Sequence, residues 1–359
     1  MNLPVDPPVA PMLAKAVAAV PDQPAERQAW SYEPKWDGFR ALVFRDGDDV
    51  VMSSRGGKDL ARYFPELVDA ARAELPDQVV VDGEVGVVRE VDGVRRLDWD
   101  SLSQRIHPAA SRITRLSEET PAVFIGFDAL ALGGADLTGE PFEVRREALL
   151  EAVGGASSQS RMQVSRVTRD ADVAREWFSA FEGAGLDGVV AKRLDGLYVP
   201  GKREMLKIKH KRTADCVVLG YRVHKSGTGL GSMLLGLYGD DGEVRMVGGS
   251  SAFSDAKRAE LQEMLEPMRL DPDHTAQGEL SRWRQSGTGE WIPIRQELVV
   301  EVAYDQMESG RFRHTVRFLR WRPDRDPRSC GYAQLEVPLT YDIHDVLEGA
   351  NDSGGTSDA

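Results

Sequence analysis

The stretch Glu33-Pro34-Lys35-Trp36-Asp37-Gly38-Phe39-Arg40 decides how this chain folds and what it does. One lysine lies in a strand-like run, directly before an Asp-Gly pair and five residues before an arginine. Lysine is scarce in the chain, with 10 lysines against 35 arginines. A lysine amine can act as a nucleophile and a guanidinium cannot, so Lys35 is a candidate catalytic residue. For the octapeptide alone, a surface lysine before an Asp-Gly turn is the alternative.

The composition predicts a globular protein of two domains. The chain has 359 residues, of which 41% are apolar and 29% are charged. Its longest apolar runs, such as residues 122–125, are too short to span a bilayer, and its first residues lack the pattern of a signal peptide. Two cysteines are too few for a disulfide framework. We therefore expect a cytoplasmic protein with no membrane partner.

The total charge of the chain and its local charge lead to different predictions about nucleic acid. The formal net charge of −13 argues against binding to nucleic acid. Residues 190–225, however, contain ten lysines and arginines against three acidic residues, and residues 311–328 contain seven arginines against two. Phosphate binding depends on such local patches. Both stretches are candidate nucleic-acid contacts, and for each a solvated basic face is the alternative.

The first part of the chain is predicted to mix short strands with helices. Residues 41–52 resemble a β-hairpin with a tight turn at residues 46–49. Residues 1–27 are rich in Pro and Ala and are predicted to be a lead-in with few structural demands. In a strand over residues 205–209, alternation sends Lys207 and Lys209 to one face. Further helices and strands are predicted over residues 65–75, 79–88, 101–106, 123–132, 143–153 and 172–181.

After about residue 210 the pattern changes to strands. One helix is predicted over residues 254–268, with Ser254 as its N-cap. Five strands with one helix in about 120 residues indicate an OB-type barrel. Residues 346–359 are rich in Gly, Ser and Asp and are predicted to form a disordered acidic tail. The five strands are expected over residues 217–221, 233–238, 244–247, 298–304 and 313–321.

Seven short motifs, taken in order, resemble those of the ATP-dependent DNA ligases, in the covalent nucleotidyltransferase superfamily. The resemblance covers nearly the whole chain and implies an α+β fold with two domains. These are an ATP-grasp-like adenylation domain over residues 1–209 and an all-β OB-fold domain over residues 210–345. The motifs are Lys35-Trp36-Asp37-Gly38-Phe39-Arg40, Ser54-Arg55-Gly56, Asp82-Gly83-Glu84, Phe127-Asp128, Asp187-Gly188-Val189-Val190-Ala191-Lys192, Leu206-Lys207-Ile208-Lys209 and Arg317-Phe318-Leu319-Arg320-Trp321-Arg322-Pro323-Asp324-Arg325.

The resemblance implies a role for each candidate residue. Lys35 would attack the α-phosphorus of ATP, release pyrophosphate and carry AMP on its side-chain nitrogen. Glu33 would accept a hydrogen bond from the adenine amino group, and Phe127 would stack on the base. For Phe127 the alternative is core packing in an apolar strand. Glu84 would hold the ribose hydroxyl or, through water, the metal, and Arg55 would contact the ribose or the 5′-phosphate of the nick.

The resemblance also implies how charge is balanced during this step. Arg40, Lys207, Lys209 and a bound Mg²⁺ or Mn²⁺ would stabilise the negative charge that develops on phosphorus. Glu84 and Asp187 would serve the metal. Asp187 departs from the family, which usually has glutamate there, and an Asp-Gly turn is its structural alternative. A shorter carboxylate still suits a hydrated Mg²⁺, which keeps several waters.

The last motif is expected to act from the second domain. Arg320 and Arg325 would reach the β,γ-phosphates, and the domain would then swing away about a hinge near residues 210–213. Leu319 replaces the usual proline and Arg325 the usual lysine, which leaves the motif cationic.

We therefore expect an ATP-dependent DNA ligase that seals nicks in duplex DNA and acts in repair as a monomer. The motifs look most like those of ligase C of mycobacteria, with the ligase module of ligase D second. Lys35 is close to the first residue, so no further DNA-binding domain is expected before it, and repair polymerases would be separate partners. The alternatives are a capping guanylyltransferase, an RNA ligase and a non-catalytic OB protein that binds single strands.

Overall fold

The computed structural model describes residues 1–25, 29–91, 93–153, 159–181, 186–271, 275–277, 290–335 and 342–348. These residues form two compact units, and the chain passes from the first to the second between Lys209 and His210. The C-terminal helix belongs to the first unit. Each unit has its own hydrophobic core and is described by itself.

The first unit mixes strands and helices, as the sequence predicts. Its elements before the second unit are β1 Leu13–Val17, β2 Trp30–Trp36, β3 Phe39–Asp46, β4 Asp49–Ser54, α1 Pro65–Glu74, β5 Gln78–Val91, β6 Val94–Leu97, α2 Trp99–Gln104, α3 Ala110–Glu119, β7 Ala122–Leu132, β8 Ala135–Asp136, α4 Phe142–Val153, β9 Met162–Val164, α5 Ala171–Ala180, β10 Leu186–Arg193 and β11 Arg203–Ile208.

These strands form two sheets in the first unit. The larger sheet has the order β4-β3-β5-β7-β8, with β6 added to β5 and β9 to β7. The smaller sheet has the order β1-β11-β10-β2. Because Lys35 is on β2 and Arg40 is on β3, the opening octapeptide passes from the smaller sheet to the larger one. Its Asp-Gly pair provides the connection, and the turn therefore brings chemistry from both sheets together.

Apolar packing on both faces of the larger sheet fixes where the site can form. One cluster packs α1 and α4 on the sheet, with Phe64, Leu67 and Leu149 fully buried. A second cluster joins the two sheets and includes Tyr32 and Trp36 of β2 with Ile125 and Phe127 of β7. Burial of this size contributes roughly 1.5–3 kcal/mol for each large apolar side chain. The polar side chains of Glu33, Asp82 and Asp128 are buried in the same unit.

The second unit is built mostly of strands. Its longest strand, β12, pairs with β13 along one edge and with β16 and β17 along the other. Ser254 caps its α-helix, as predicted, by accepting a hydrogen bond from the Lys257 N–H. The elements are β12 Arg212–Val223, β13 Leu230–Tyr238, β14 Val244–Ser250, α6 Asp255–Leu265, β15 Ala276–Gln277, β16 Glu290–Pro293, β17 Val299–Tyr304, β18 Met307–Glu308, β19 Arg311–Phe312 and β20 Arg317–Trp321.

In the first unit, one prediction is wrong and one helix has no prediction. The proline-rich lead-in is part of the fold, because β1 pairs in parallel with β11 and Leu3, Val5 and Met12 are buried. Helix α3 is absent from the predicted elements. It buries Ile113 and Leu116, which are three positions apart and lie on one face of the helix.

The C-terminal prediction is also corrected. The sequence predicts a second domain up to residue 345 and a disordered tail over residues 346–359. Instead, α7 spans Ile343–Glu348 and belongs to the first unit. Ile343 and Val346 are buried in the cluster that contains Trp177 and Phe181. Apolar burial of α7 therefore overrides its acidic, small-residue context, and the rest of the predicted tail lies outside the described residues.

Gly188→Ala should destabilise the first unit strongly. Gly188 has a φ of +122°, and a Cβ there would lie 1.9 Å from the carbonyl oxygen of Ile208. Positive φ costs a non-glycine residue roughly 1–2 kcal/mol, and this clash would also force β10 away from β11. We expect the free energy of unfolding in urea to fall by more than about 3 kcal/mol.

Gly47→Ala is the matched control. Gly47 has a φ of +60° and open space around the position of a Cβ, so this variant carries the backbone cost alone. It should lose only about 1 kcal/mol. Equal losses for the two variants would contradict the steric role assigned to Gly188.

Candidate active site

Three neighbouring strands bring Lys35, Asp187 and Lys209 together. Trp36 of β2 pairs with Leu186 of β10, and the pairing is irregular up to Val189, so Asp187 lies in the irregular segment. Its Oδ2 is 3.0 Å from Lys35 Nζ and 2.7 Å from Lys209 Nζ. One carboxylate oxygen therefore holds the candidate nucleophile and a second lysine at once.

Electrostatics in this cluster follow from burial and from its three lysines. Burial would raise the pKa of Asp187, but Lys35 and Lys209 outweigh it and the pKa is lowered. The pKa of Lys207 is lowered by burial and by Lys209, Lys35 and Arg55. The cluster is therefore rich in positive charge, as a site for a polyphosphate requires.

Glu84 faces the same region from the larger sheet. It pairs across β3 and β5 with Arg40, and its Oε1 accepts a 3.1 Å hydrogen bond from the Gly38 N–H. Burial raises the pKa of Glu84 to about 7, although Arg40 and Lys35 act against the shift. A Cβ on Gly38 would lie 2.1 Å from the Val85 carbonyl oxygen, so only glycine lets the turn approach β5 this closely.

Arg40 is fixed by a buried aspartate. Its Nε and Nη2 each donate a 2.6 Å hydrogen bond to Asp82, whose Oδ2 also accepts one from the Tyr198 hydroxyl. The guanidinium lies 4.3 Å from the centre of the Phe127 ring. Such a bidentate pair restricts Arg40 to one orientation. Phe127 itself is buried in the core, and its stacking on a base stays a prediction.

Glu33 is linked to Phe127 through Lys192. Its Oε1 is 3.0 Å from Lys192 Nζ, which also donates to the Phe127 carbonyl oxygen at 2.7 Å. Its Oε2 is buried and has no hydrogen-bond partner among the described residues. Burial raises the pKa of Glu33, and Lys192 acts against the shift. A buried carboxyl oxygen without a hydrogen-bond partner is suited to accept a hydrogen bond from a ligand.

The structure brings together most, but not all, of the predicted site residues. Lys35, Asp187, Lys207 and Lys209 form one cluster, with Arg55 near enough to lower the pKa of Lys207. Arg320 and Arg325 lie in the second unit, where they form ion pairs with Glu301 and Asp215 at 2.5 Å and 3.5 Å. The other members of the first-unit site are Glu33, Arg40, Glu84 and Phe127.

Several residues that support the site have no role predicted from the sequence. Lys192 was counted as part of a basic patch, yet it is only 2% exposed and lies inside the site. Asp82 and Asp128 interrupt apolar strands, and a buried carboxylate needs a cation beside it. The sequence therefore predicts a cation beside each aspartate. The fold shows that these cations are Arg40 and Arg145.

The carboxylates of Glu84 and Asp187 are suited to a hydrated magnesium ion. Among the described residues, no group of three or more His, Cys, Asp and Glu side chains is placed to hold a metal. Mg²⁺ commonly takes one or two carboxylates and completes its shell with waters and substrate phosphates. Glu84 and Asp187 offer that donor set. Across the described helices, none is both long and apolar enough to cross a membrane.

Glu84→Gln should alter how stability depends on pH. The folded-state pKa of about 7 lies above the unfolded value of about 4.3. Between these values the folded protein keeps a proton that the unfolded chain has lost, so wild-type stability falls as pH rises. The variant lacks this titration. The difference in free energy of unfolding, variant minus wild type, should therefore increase by about 2–3 kcal/mol as the pH rises from about 5 to about 8.

Urea unfolding across that pH range measures the difference. Glu90→Gln removes an exposed glutamate from the same strand and serves as the control. A gap between Glu84→Gln and wild type that does not change with pH would show that Glu84 has an ordinary pKa.

Comparisons with known proteins agree with this geometry. A family model described as the ATP dependent DNA ligase domain matches residues 11–209. Another, the ATP dependent DNA ligase C terminal region, matches residues 226–325. DNA ligase C1 of Mycolicibacterium smegmatis is 62% identical over 353 residues, which cover 97% of this chain and 99% of the relative.

Two further similarities are weaker. The multifunctional non-homologous end joining DNA repair protein LigD of Mycobacterium tuberculosis is 32% identical over 326 residues, covering 89% of this chain and 39% of the relative. A solved structure from a study of Lig E DNA ligases has a TM-score of 0.52 at 17% identity, covering 87% of this chain and 99% of that chain. That last likeness supports the fold alone.

These findings confirm the predicted fold class, a nucleotidyltransferase domain followed by a domain of strands. They also confirm that the chain resembles ligase C more than ligase D. A DNA ligase is favoured over the capping, RNA ligase and binding-only alternatives. The chain belongs to the ATP-dependent DNA ligase family.

Proposed function

We propose that this chain seals nicks in duplex DNA through an AMP–lysine intermediate on Lys35, in DNA repair. The observation that carries the proposal is the single carboxylate oxygen of Asp187 shared by Lys35 and Lys209. It holds the amine of Lys35 at a cationic position, between the two sheets that carry the other site residues. The repair role is supported by the similarity to a relative named as a DNA repair protein.

In the first step, the neutral amine of Lys35 attacks the α-phosphorus of ATP. A P–N bond forms, the bond to the β-phosphate oxygen breaks, pyrophosphate leaves and the amine gives up a proton. Arg40, Lys207 and Lys209 stabilise the added negative charge, and a preorganised cation is worth most in a site without water. A divalent cation, when bound, supplies further positive charge, and Glu84 and Asp187 would hold it.

Glu33 and Phe127 would select and orient the base, with Glu84 or Arg55 on the ribose. AMP then passes from Lys35 to the 5′-phosphate at a nick, which gives that phosphate a leaving group. A 3′-hydroxyl displaces AMP and closes the strand. The nick is the substrate class implied by a DNA ligase, and separate repair polymerases would prepare it in the cytoplasm.

Arg320 and Arg325 of the second unit are proposed to reach the β,γ-phosphates during the first step. Arg320 is 63% exposed and Arg325 38%, so phosphate oxygens can compete for both. Asp215 would keep a cation after losing Arg325, because Arg322 Nη1 donates to both its carboxylate oxygens at 3.0 Å. Arg325 can therefore exchange Asp215 for a phosphate without leaving Asp215 unpaired. Residues 210–213 are proposed as the hinge, and the chain as a monomer.

Incubation with α-labelled ATP or GTP and Mg²⁺ tests the proposal. We expect covalent label from ATP alone on a denaturing gel and its discharge onto nicked duplex with sealing. Lys35→Ala should abolish the label, a loss of more than about a thousandfold, because the nucleophile is gone. Lys15→Ala, at an exposed lysine of β1, should label as wild type does.

Other outcomes would revise the function. Label from GTP would indicate a capping activity, and discharge onto nicked RNA but not DNA would indicate an RNA ligase. No label from either nucleotide, in folded protein shown to be free of bound AMP, would leave a binding protein.

A further inference from the structure

Two adjacent arginines of α4 have very different surroundings. Arg145 is saturated, because it forms a bidentate pair with Asp128 and donates to the carbonyl oxygens of Glu140 and Gly196. Arg146 is only 7% exposed, yet its one hydrogen bond to another described residue is from Nη2 to the Ser165 carbonyl oxygen, at 2.8 Å. Its Nε and Nη1 are buried and have no hydrogen-bond partner among the described residues. Buried, unsatisfied donors of this kind are costly.

Arg146 lies beside the strand that carries the nucleophile. Ser165, which accepts from Arg146, also accepts through its hydroxyl a 2.9 Å hydrogen bond from the indole of Trp36. Trp36 directly follows Lys35. Arg146 and Glu33 are also close enough to affect each other electrostatically, since Arg146 lowers the pKa of Glu33 and Glu33 raises that of Arg146.

Spare donors and a spare acceptor therefore occur in the same buried region. Arg146 offers two N–H groups and Glu33 offers Oε2, and no described residue satisfies either. A ligand would satisfy both if it presented a donor next to an acceptor. The amino group of adenine, flanked by ring nitrogens N1 and N7, is such an edge. Guanine presents a carbonyl oxygen there, which would meet the carboxylate of Glu33 unfavourably.

Arg146 can keep its charge in this role. Burial lowers its pKa to about 10, while Glu33 and Asp128 act against the shift, so the guanidinium stays protonated at neutral pH. Lys192 already satisfies Oε1 of Glu33, which leaves Oε2 for the base. At one edge of a ligand, Arg146 can thus donate hydrogen bonds while Glu33 accepts one.

We propose that Arg146 is a specificity-determining residue, which donates to a ring nitrogen beside the exocyclic amine of adenine while Glu33 accepts from that amine. The inference rests on the proposed function, because it takes the base of ATP as the ligand. It adds a residue outside the ligase motifs to the recognition of the nucleotide.

Steady-state sealing of nicked duplex DNA with ATP, 1-deaza-ATP or 7-deaza-ATP as the nucleotide tests this contact. Each analogue lacks one ring nitrogen. A hydrogen bond from a charged donor is worth about tenfold to a hundredfold in affinity, so wild type should show a KM at least about tenfold higher for one analogue than for ATP.

Arg146→Met keeps the length of the side chain and removes its donors. It should raise the KM for ATP by about tenfold, leave kcat close to wild type, and abolish the difference between ATP and that same analogue. Arg146→Lys should restore part of the difference. Arg145→Met is the structural comparison: it should lower Tm, and its preference among the three nucleotides should match wild type.

Several results would overturn the inference. One is an Arg146→Met variant that still discriminates ATP from both analogues as wild type does. Another is a loss that is equal for all three nucleotides and follows a lower Tm, which would make Arg146 structural. If Arg146→Met does not fold, the KM for that analogue is compared with the KM for ATP in Arg146→Lys instead, and this ratio decides the question. Absence of any adduct in wild type would instead remove the proposed function itself.

Discussion

The carboxylate of Asp187 is the interaction on which the rest of the site depends. One of its oxygens binds both Lys35 of β2 and Lys209, which directly follows β11. Asp187 itself is on β10, so this contact ties the three neighbouring strands together. This contact requires the backbone of β10 to pass within reach of Ile208, which only a glycine at position 188 allows.

A second constraint is the burial of charge between the two sheets. Asp82, Asp128 and Glu33 lie inside the first unit, and each is paired with a cation. Breaking such a pair by removing one partner typically costs about 3–5 kcal/mol, so the side chains have little freedom to rearrange. The site is therefore positioned before a nucleotide arrives. Glu33, although paired with Lys192, and Arg146 both keep polar atoms that no described residue satisfies and that a ligand can use.

The sequence predicted the elements whose patterns are local. The hairpin of β3 and β4, helix α1 and strand β7 follow from turn residues and apolar spacing within a few positions. Strand β1 could not be predicted in this way, because it is stabilised by pairing with β11, which lies far along the chain. The same reason applies to the hydrogen bond between Tyr198 and Asp82, and to Arg146, which belongs to no motif. Motifs identified the reacting groups, whereas the residues that orient them are set by the fold.

Mapping the adenylated residue by mass spectrometry tests the central claim most directly. Lys35, Lys207 and Lys209 lie in one cationic cluster, and each carries an amine that could in principle attack phosphorus. Protein incubated with ATP and Mg²⁺ would be digested, and the peptides bearing AMP sequenced. The account predicts AMP on Lys35 alone, with Lys207, Lys209 and Lys192 unmodified. AMP on any of those three, or spread over several lysines, would contradict it.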